Sequence, residues 1–191
     1  MDWTTDTATA YDRTFLTGHR VRLRGLRDSD LPLLAAWWQD PSLGALQMTS
    51  VVPPSESAAR GLFSRWSENQ NDGVGFSIET MADERLIGHL TIFGVRARNR
   101  RATFAIGLGP DHVGQGLGGE AVRLAVRYAF TELNLHRLDL QAMAWNERAI
   151  AAYRRAGFIE EGRSRESIFH AGQWHDEIRM AILETDPRPE V

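Results

Sequence analysis

Residues 106–121 read Ile106-Gly107-Leu108-Gly109-Pro110-Asp111-His112-Val113-Gly114-Gln115-Gly116-Leu117-Gly118-Gly119-Glu120-Ala121. The stretch runs from a strand into a helix, and four of the six residues from Gly114 to Gly119 are glycine. Glycine lets successive backbone N–H groups turn inward without a side chain in the way. A helix starting there adds its own unpaired N–H groups and the positive end of its dipole. The segment therefore predicts a pyrophosphate site that needs no lysine. A plain connecting loop has no use for so many glycines.

Upstream, strands are expected at Val74–Thr80, Leu86–Phe93 and Ala102–Leu108, joined by polar turns at Ala82-Asp83-Glu84 and Arg96–Arg101. That pattern is an antiparallel meander. Downstream, Val122, Ala125, Val126, Ala129 and Leu133 mark one face of an amphipathic helix from Gly118 to Leu133. A strand at His136–Met143 and a helix at Asn146–Ala156 follow, the helix stopped by Gly157. Two more strands, Phe158–His170 and Gln173–Leu183, turn at Ala171-Gly172. Towards the N-terminus, His19–Leu26 reads as a half-buried strand, and Asp28-Ser29-Asp30 as the cap of a helix carrying Leu33, Leu34, Trp37 and Trp38. A second helix runs from Pro53-Pro54-Ser55 to about Glu68. The order β α α β β β α β α β β predicts one α+β domain over residues 18–184, on a mixed, mostly antiparallel sheet flanked by helices. Residues 1–17, Thr-rich and without an apolar run, are expected to be a flexible N-terminal arm, not a signal peptide, and residues 185–191 a flexible tail.

Composition narrows the chemistry. In 191 residues, 22 basic and 25 acidic side chains give a net charge of −3, which offers no broad face for nucleic acid. No apolar run approaches the ~18 residues of a membrane span, so a cytoplasmic location is expected. There is no cysteine, which removes disulfides, thiolate metal sites and a thiol nucleophile. Every basic residue is arginine, which removes Schiff-base chemistry and the lysine-bearing phosphate loop. Gly114, Gly116 and Gly119 also match G-x-G-x-x-G, with Asp139 twenty residues on. That fingerprint opens a parallel domain, whereas here a meander precedes it, and Asp139 lies in mid-strand instead of at a strand end. His170 and His175 lack the spacing of a known metal site, so no metal is expected.

With Val113-Gly114-Gln115-Gly116-Leu117-Gly118, the segment Asn146-Glu147-Arg148-Ala149-Ile150-Ala151-Ala152-Tyr153-Arg154-Arg155-Ala156-Gly157-Phe158 and the ending Gly172-Gln173-Trp174-His175-Asp176, the chain resembles the GNAT superfamily of acyl-CoA-dependent N-acetyltransferases. Its opening and ending are similar to the spermidine and ribosomal-protein N-terminal acetyltransferase branches. Val113 departs from the Arg or Gln usual at that place. The resemblance implies acetyl-CoA as cosubstrate, with Ile106, Gly107 and Leu108 along the pantetheine arm and the loop from Val113 to Gly119 (Gln115 and Leu117 included) on the pyrophosphate. It implies that Asn146 contacts CoA and that Tyr153 is the general acid. Polyamine enzymes of this kind often carry Glu in the segment here reading Arg101-Ala102-Thr103-Phe104, where Thr103 stands; His89 and Glu79 are the substitute bases to test. Trp37, Trp38, Asp40 and Trp145 fall where the acceptor site would be walled. Arg96–Arg101 is read as a solvated turn, with contact to the CoA 3′-phosphate as the alternative. The implied activity is direct transfer of acetyl to a primary amine, of a small metabolite or a protein N-terminus, and a homodimer is the implied assembly. Two other readings stand beside it: transfer of a longer acyl group such as succinyl, and a non-catalytic acyl-CoA sensor.

Overall fold

In the computed structural model, residues 2–44, 46, 52–70 and 72–189 are described. Alternating apolar residues give the expected meander: β2 (Gly73–Thr80), β3 (Leu86–Arg96) and β4 (Arg101–Leu108) pair antiparallel in sequence order. Strand β1 (Val21–Arg24) extends it at the β2 edge, with Val21 and Leu23 buried. A parallel neighbour needs a long crossover. Helix α5 (Leu117–Thr131) provides it, and β5 (Arg137–Met143) pairs parallel to β4. After α6 (Glu147–Arg155), β6 (Ile159–His170) and β7 (Gln173–Leu183) form a hairpin, of which β7 pairs with β5. The sheet order is β1-β2-β3-β4-β5-β7-β6. This is a single α+β domain of the expected class.

One face of the sheet packs on α5 and α6, where Ile78, Ile92, Leu124, Leu138, Met180 and Ile182 are almost fully buried. Each such side chain contributes roughly 1.5–3 kcal/mol through removal from water. The other face carries α2 (Leu31–Trp38) and α4 (Glu56–Trp66), packed through Leu34, Phe63 and Leu86 with Trp37, Trp38 and Trp66 around them. Trp38 meets Phe63 and Trp66 edge-on, at 5.6 and 5.2 Å. A one-turn helix, α3 (Pro41–Gly44), follows α2.

Three expectations need correcting. The N-terminal segment is not a loose arm: Thr5–Phe15 forms helix α1, capped by Thr4 and Thr7 in a reciprocal pair of hydrogen bonds. The Tyr11 hydroxyl donates to Glu132 at 2.6 Å, and the Arg127 guanidinium lies 5.0 Å from the centre of the buried Phe15 ring. The tail also folds back, with Asp186 accepting the Leu183 N–H at 2.9 Å and Arg188 lying 4.8 Å over the Phe130 ring. Met1, Glu190 and Val191 lie outside the described residues. Asp30 stands at the N-cap position of α2 as expected, but its carboxylate does not cap the helix; it is buried, accepts the Arg27 N–H and the Ser77 hydroxyl, and pairs with Arg24.

The feature that positions the site is a wedge in the sheet. Registered pairs between β4 and β5 stop at Thr103↔Asp139. Beyond them β4 stays paired with β3 as far as Leu108, and β5 with β7 as far as Met143. The facing edges of Phe104–Leu108 and Leu140–Met143 therefore carry backbone N–H and C=O groups unpaired with each other. Such edges call for a partner.

Candidate active site

The glycine stretch occupies the open end of this wedge. After Leu108 the chain makes a single 3₁₀ turn, Pro110–His112, then adopts positive φ at Gly114 (83°) and Gly116 (80°). Gly116 is the residue from which α5 starts. That left-handed conformation strongly disfavours any residue with a Cβ, above all a β-branched one. The first-turn N–H groups of Leu117, Gly118 and Gly119 have no intrahelical acceptors, which is the arrangement an anion site calls for. The loop is braced from behind. Arg20 donates from its guanidinium to the Gln115 carbonyl at 3.0 Å, while its own N–H is held by the buried Glu120 carboxylate at 2.8 Å.

A cavity of about 460 Å³ runs from this loop to α6. Of the residues expected along the cofactor, Ile106, Gly107 and Leu108 of β4 line it, as do Val113, Gly114 and Gly116 of the loop. Gly118, Gly119, Asn146 and Tyr153 complete that set. Two do not line it. Gln115 turns its amide to the Asp111 carbonyl at 2.7 Å, and the Leu117 side chain is buried in the core. Asn146 also caps α6, accepting the Ala149 N–H at 3.2 Å. The two roles expected of it are compatible.

A second cavity of about 390 Å³ adjoins the first and shares Ile106, Gly107, Leu108 and Tyr153 with it. Tyr153 is 9% exposed and wedged between Phe104 and Phe158, with ring centres 6.4 and 5.9 Å away. Burial pushes its hydroxyl up to about 12, so it holds its proton at neutral pH. The far side of this cavity is aromatic: Trp37 and Trp38 of α2, Phe63 and Trp66 of α4, and Phe93 of β3. Gly109 makes room for Trp37, since a Cβ there would fall 2.5 Å from the indole ring.

The candidate bases separate clearly. His89 lines the second cavity, hydrogen-bonded through Nε2 to the Ser67 hydroxyl at 2.8 Å, and desolvation lowers it to about 4. It is neutral at pH 7 and a weak proton acceptor. Glu79 is buried and bound by Arg22, Arg24 and Arg27. Those partners outweigh its desolvation and hold its carboxyl below the usual range, which removes it as a base. Asp40 sits at the exposed end of α2 and accepts from Ser42. Trp145 packs against His175 and His170, at 4.7 and 6.0 Å between ring centres. The arginines from Arg96 to Arg101 lie where β4 begins, the opposite end from the glycine loop; eight residues of strand put the two roughly 25 Å apart. Arg100 and Arg101 there pair with Glu184 and Asp139, and nothing brings them near the glycine loop.

The acetyltransferase (GNAT) domain family matches residues 20–159. The chain belongs to that family. Its relatives are N-acetyltransferases, and they support an enzyme of that kind. A probable N-acetyltransferase of Bacillus subtilis, YjcK, is 39% identical over 112 residues, which are 58% of this chain and 62% of that protein. The spermidine N(1)-acetyltransferase of Escherichia coli K12 is 29% identical over 178 residues, covering 88% of each chain. The crystal structure of spermidine N-acetyltransferase from Vibrio cholerae in complex with CoA and spermine superposes with a TM-score of 0.78 at 28% identity, covering 86% of this chain and 96% of that one.

This GNAT domain also brings in residues that the sequence reading missed. Arg123 of α5 and Arg148 and Arg155 of α6 line the first cavity. Arg148 and Arg155 are seven residues apart and so share one face of α6, a spacing that was legible beside Asn146. Among the described residues no helix is long and apolar enough to cross a membrane.

Proposed function

We propose that the chain transfers an acetyl group from acetyl-CoA to a primary amine, directly, with both substrates bound. One observation carries the reading: Tyr153 and the β4 edge from Ile106 to Leu108 are common to the two cavities. A thioester laid along that edge would have its phosphates at the glycine loop and its carbonyl beside the other cavity. Pantetheine pairs with the unpaired edge of β4, and the pyrophosphate takes the N–H groups at the start of α5. Arg123, Arg148 and Arg155 supply positive charge on the same wall. A backbone N–H of β4 polarises the thioester carbonyl and holds the oxyanion as the tetrahedral adduct forms. As the new C–N bond forms and the C–S bond breaks, sulfur takes the electron pair, and the Tyr153 hydroxyl gives it a proton.

The aromatic wall suits a cationic acceptor, because ring faces attract ammonium groups by ~0.5–2 kcal/mol each. The spermine bound in the Vibrio cholerae relative supports a polyamine as the first acceptor to try. His89 belongs to this wall as a neutral donor–acceptor beside Ser67. Thiol release from acetyl-CoA tests the reading, against polyamines, aminoglycosides, amino acids and ribosomal-protein N-terminal peptides, with succinyl-CoA run in parallel. Amine-dependent release with acetyl-CoA is expected. Preference for succinyl-CoA would move the assignment to a longer acyl group. Tight CoA binding without turnover on any amine would make the domain an acyl-CoA sensor. The homodimer implied by the resemblance is read by sedimentation in the same preparations.

A further inference from the structure

An alkylammonium must lose a proton before it can attack, and the carboxylates near the cleft are mostly committed elsewhere. Glu79 holds three arginines, and Asp139 pairs with Arg101 and Arg137. Glu160 and Glu161 pair with Arg154 and Arg137. Glu177 is different. It is 7% exposed, and its buried Oε1 has no hydrogen-bond partner among the described residues. A buried acceptor left without a donor costs about 1–3 kcal/mol, and more when charged. A retained orphan of this kind calls for an explanation.

Register places Glu177 on the acceptor side. On β7 it stands opposite Met143 of β5, and its neighbour on the same face, Arg179, stands opposite Gln141. Gln141 lines the acceptor cavity. His175, two residues back on that face, packs on Trp145. Glu177 therefore stands beside the acceptor cavity, one step along the ladder past Gln141 and before the Trp145–His175 corner, on the sheet face shared with His89, Thr91 and Ala105; its side chain is set back behind the residues that line the cavity. Charged and titratable neighbours on this face are Arg179 and His175 of β7; β5 offers Met143 and Gln141, and β6 offers Ser164. None of them donates to Oε1. Burial raises the carboxyl above its usual range, and Arg179 offsets this only in part. A carboxylate so raised is a better proton acceptor at neutral pH.

We propose that Glu177 is the carboxylate that receives the acceptor ammonium and takes its proton, an inference that rests on the acetyl-transfer reading above. The ammonium gives one proton to Glu177 and becomes a free amine. Its lone pair attacks the thioester carbon, the C–S pair leaves on sulfur, and sulfur takes the Tyr153 proton. The second proton shed by nitrogen restores Tyr153, and Glu177 returns its own to solvent.

The test compares Glu177→Gln with wild type on two acceptors: the best alkylamine and a hydrazide of similar shape, uncharged at neutral pH. On the alkylamine, kcat/KM should fall by ~10²–10³ at neutral pH and then rise steadily with pH, following the free-amine fraction instead of the titration of a carboxyl. On the hydrazide the loss should stay within about threefold, with CoA affinity by calorimetry unchanged. Glu177→Asp should recover part of the alkylamine rate. Equal losses on both acceptors would mean a packing role and overturn the proposal, as would no loss on either. A wild type that binds CoA but acetylates no amine would overturn it together with the function it rests on, a failure distinct from the variant-specific ones.

Discussion

The two halves of the cleft are made of different material. The half proposed for the cofactor is largely backbone: one edge of β4, two left-handed glycines and the first turn of α5. The acceptor half is almost all side chain, drawn from α2, α4, β3 and β5. Backbone groups present the same N–H pattern whatever residues surround them, so the first half suits a ligand that never changes. Side chains can be exchanged without disturbing the sheet, so the second half can be re-cut for a new amine. Tyr153 belongs to both.

Removing the Tyr153 hydroxyl is the most direct way to break this division, and it carries the largest expected effect. Tyr153→Phe keeps the ring between Phe104 and Phe158 and takes away only the proton donor. Turnover should fall by ~10²–10⁴ in a chemistry-limited assay, with CoA affinity little changed. Wild-type turnover in that assay would reduce Tyr153 to a wall residue. The hydroxyl, raised to about 12, stays protonated across the neutral range. No loss of rate on its account is therefore expected as pH rises from 6 to 9.

The same division explains what could be read from the chain before its structure. Gly114, Gly116 and the start of α5 are contiguous, and glycine at positive φ is a constraint written residue by residue. The wedge was not legible in the same way: a meander followed by a crossover helix calls for a parallel neighbour to β4, and says nothing of their pairing ending at Thr103. The acceptor half is assembled from segments as far apart as Trp37 and Gln141, and no local pattern announces that they meet. The helical spacing of Trp37 and Trp38 reads equally as core, and both do pack in the α2–α4 cluster while also lining the cavity. Helix α1 was missed because its cap is a Thr4–Thr7 pair without the usual acidic partner, and its anchors, Glu132 and Arg127, lie more than 100 residues on. Glu79 passed as a possible base because a buried carboxylate and three arginines look alike in sequence whether they catalyse or brace.

Glu79 sharpens the comparison from behind the acceptor half. Glu79→Gln leaves Arg22, Arg24 and Arg27 without their shared anion. A broken buried pair costs about 3–5 kcal/mol, and the solvent that reaches Arg22 and Arg27 reduces this to roughly 2–3. The sign with pH follows from a carboxyl held below its ordinary value. Its contribution is complete above the unfolded-state value of about 4.3 and is lost as pH falls through the lower folded value. Urea melts of both proteins should therefore differ most at pH 7 and converge in acid. A difference that stays constant down to pH 3 would place the loss in packing instead.

Gly116→Val probes the other half, and the expected effect is smaller. The residue must hold φ near 80°, which a β-branched side chain resists, and its Cβ would lie 3.6 Å from the Arg20 guanidinium that braces the loop. A left-handed non-glycine costs roughly 1–2 kcal/mol, so the loop will shift instead of storing the strain. The dissociation constant for CoA should then rise about 10- to 100-fold by calorimetry, as two or more N–H groups leave the phosphate. The acceptor half lies outside the disturbed segment, so KM for the amine at saturating acetyl-CoA should hold. Two outcomes separate the possibilities: unchanged CoA binding would mean that the arginines of α5 and α6 grip the phosphates without the backbone, and a raised amine KM would mean that the two halves are coupled through β4.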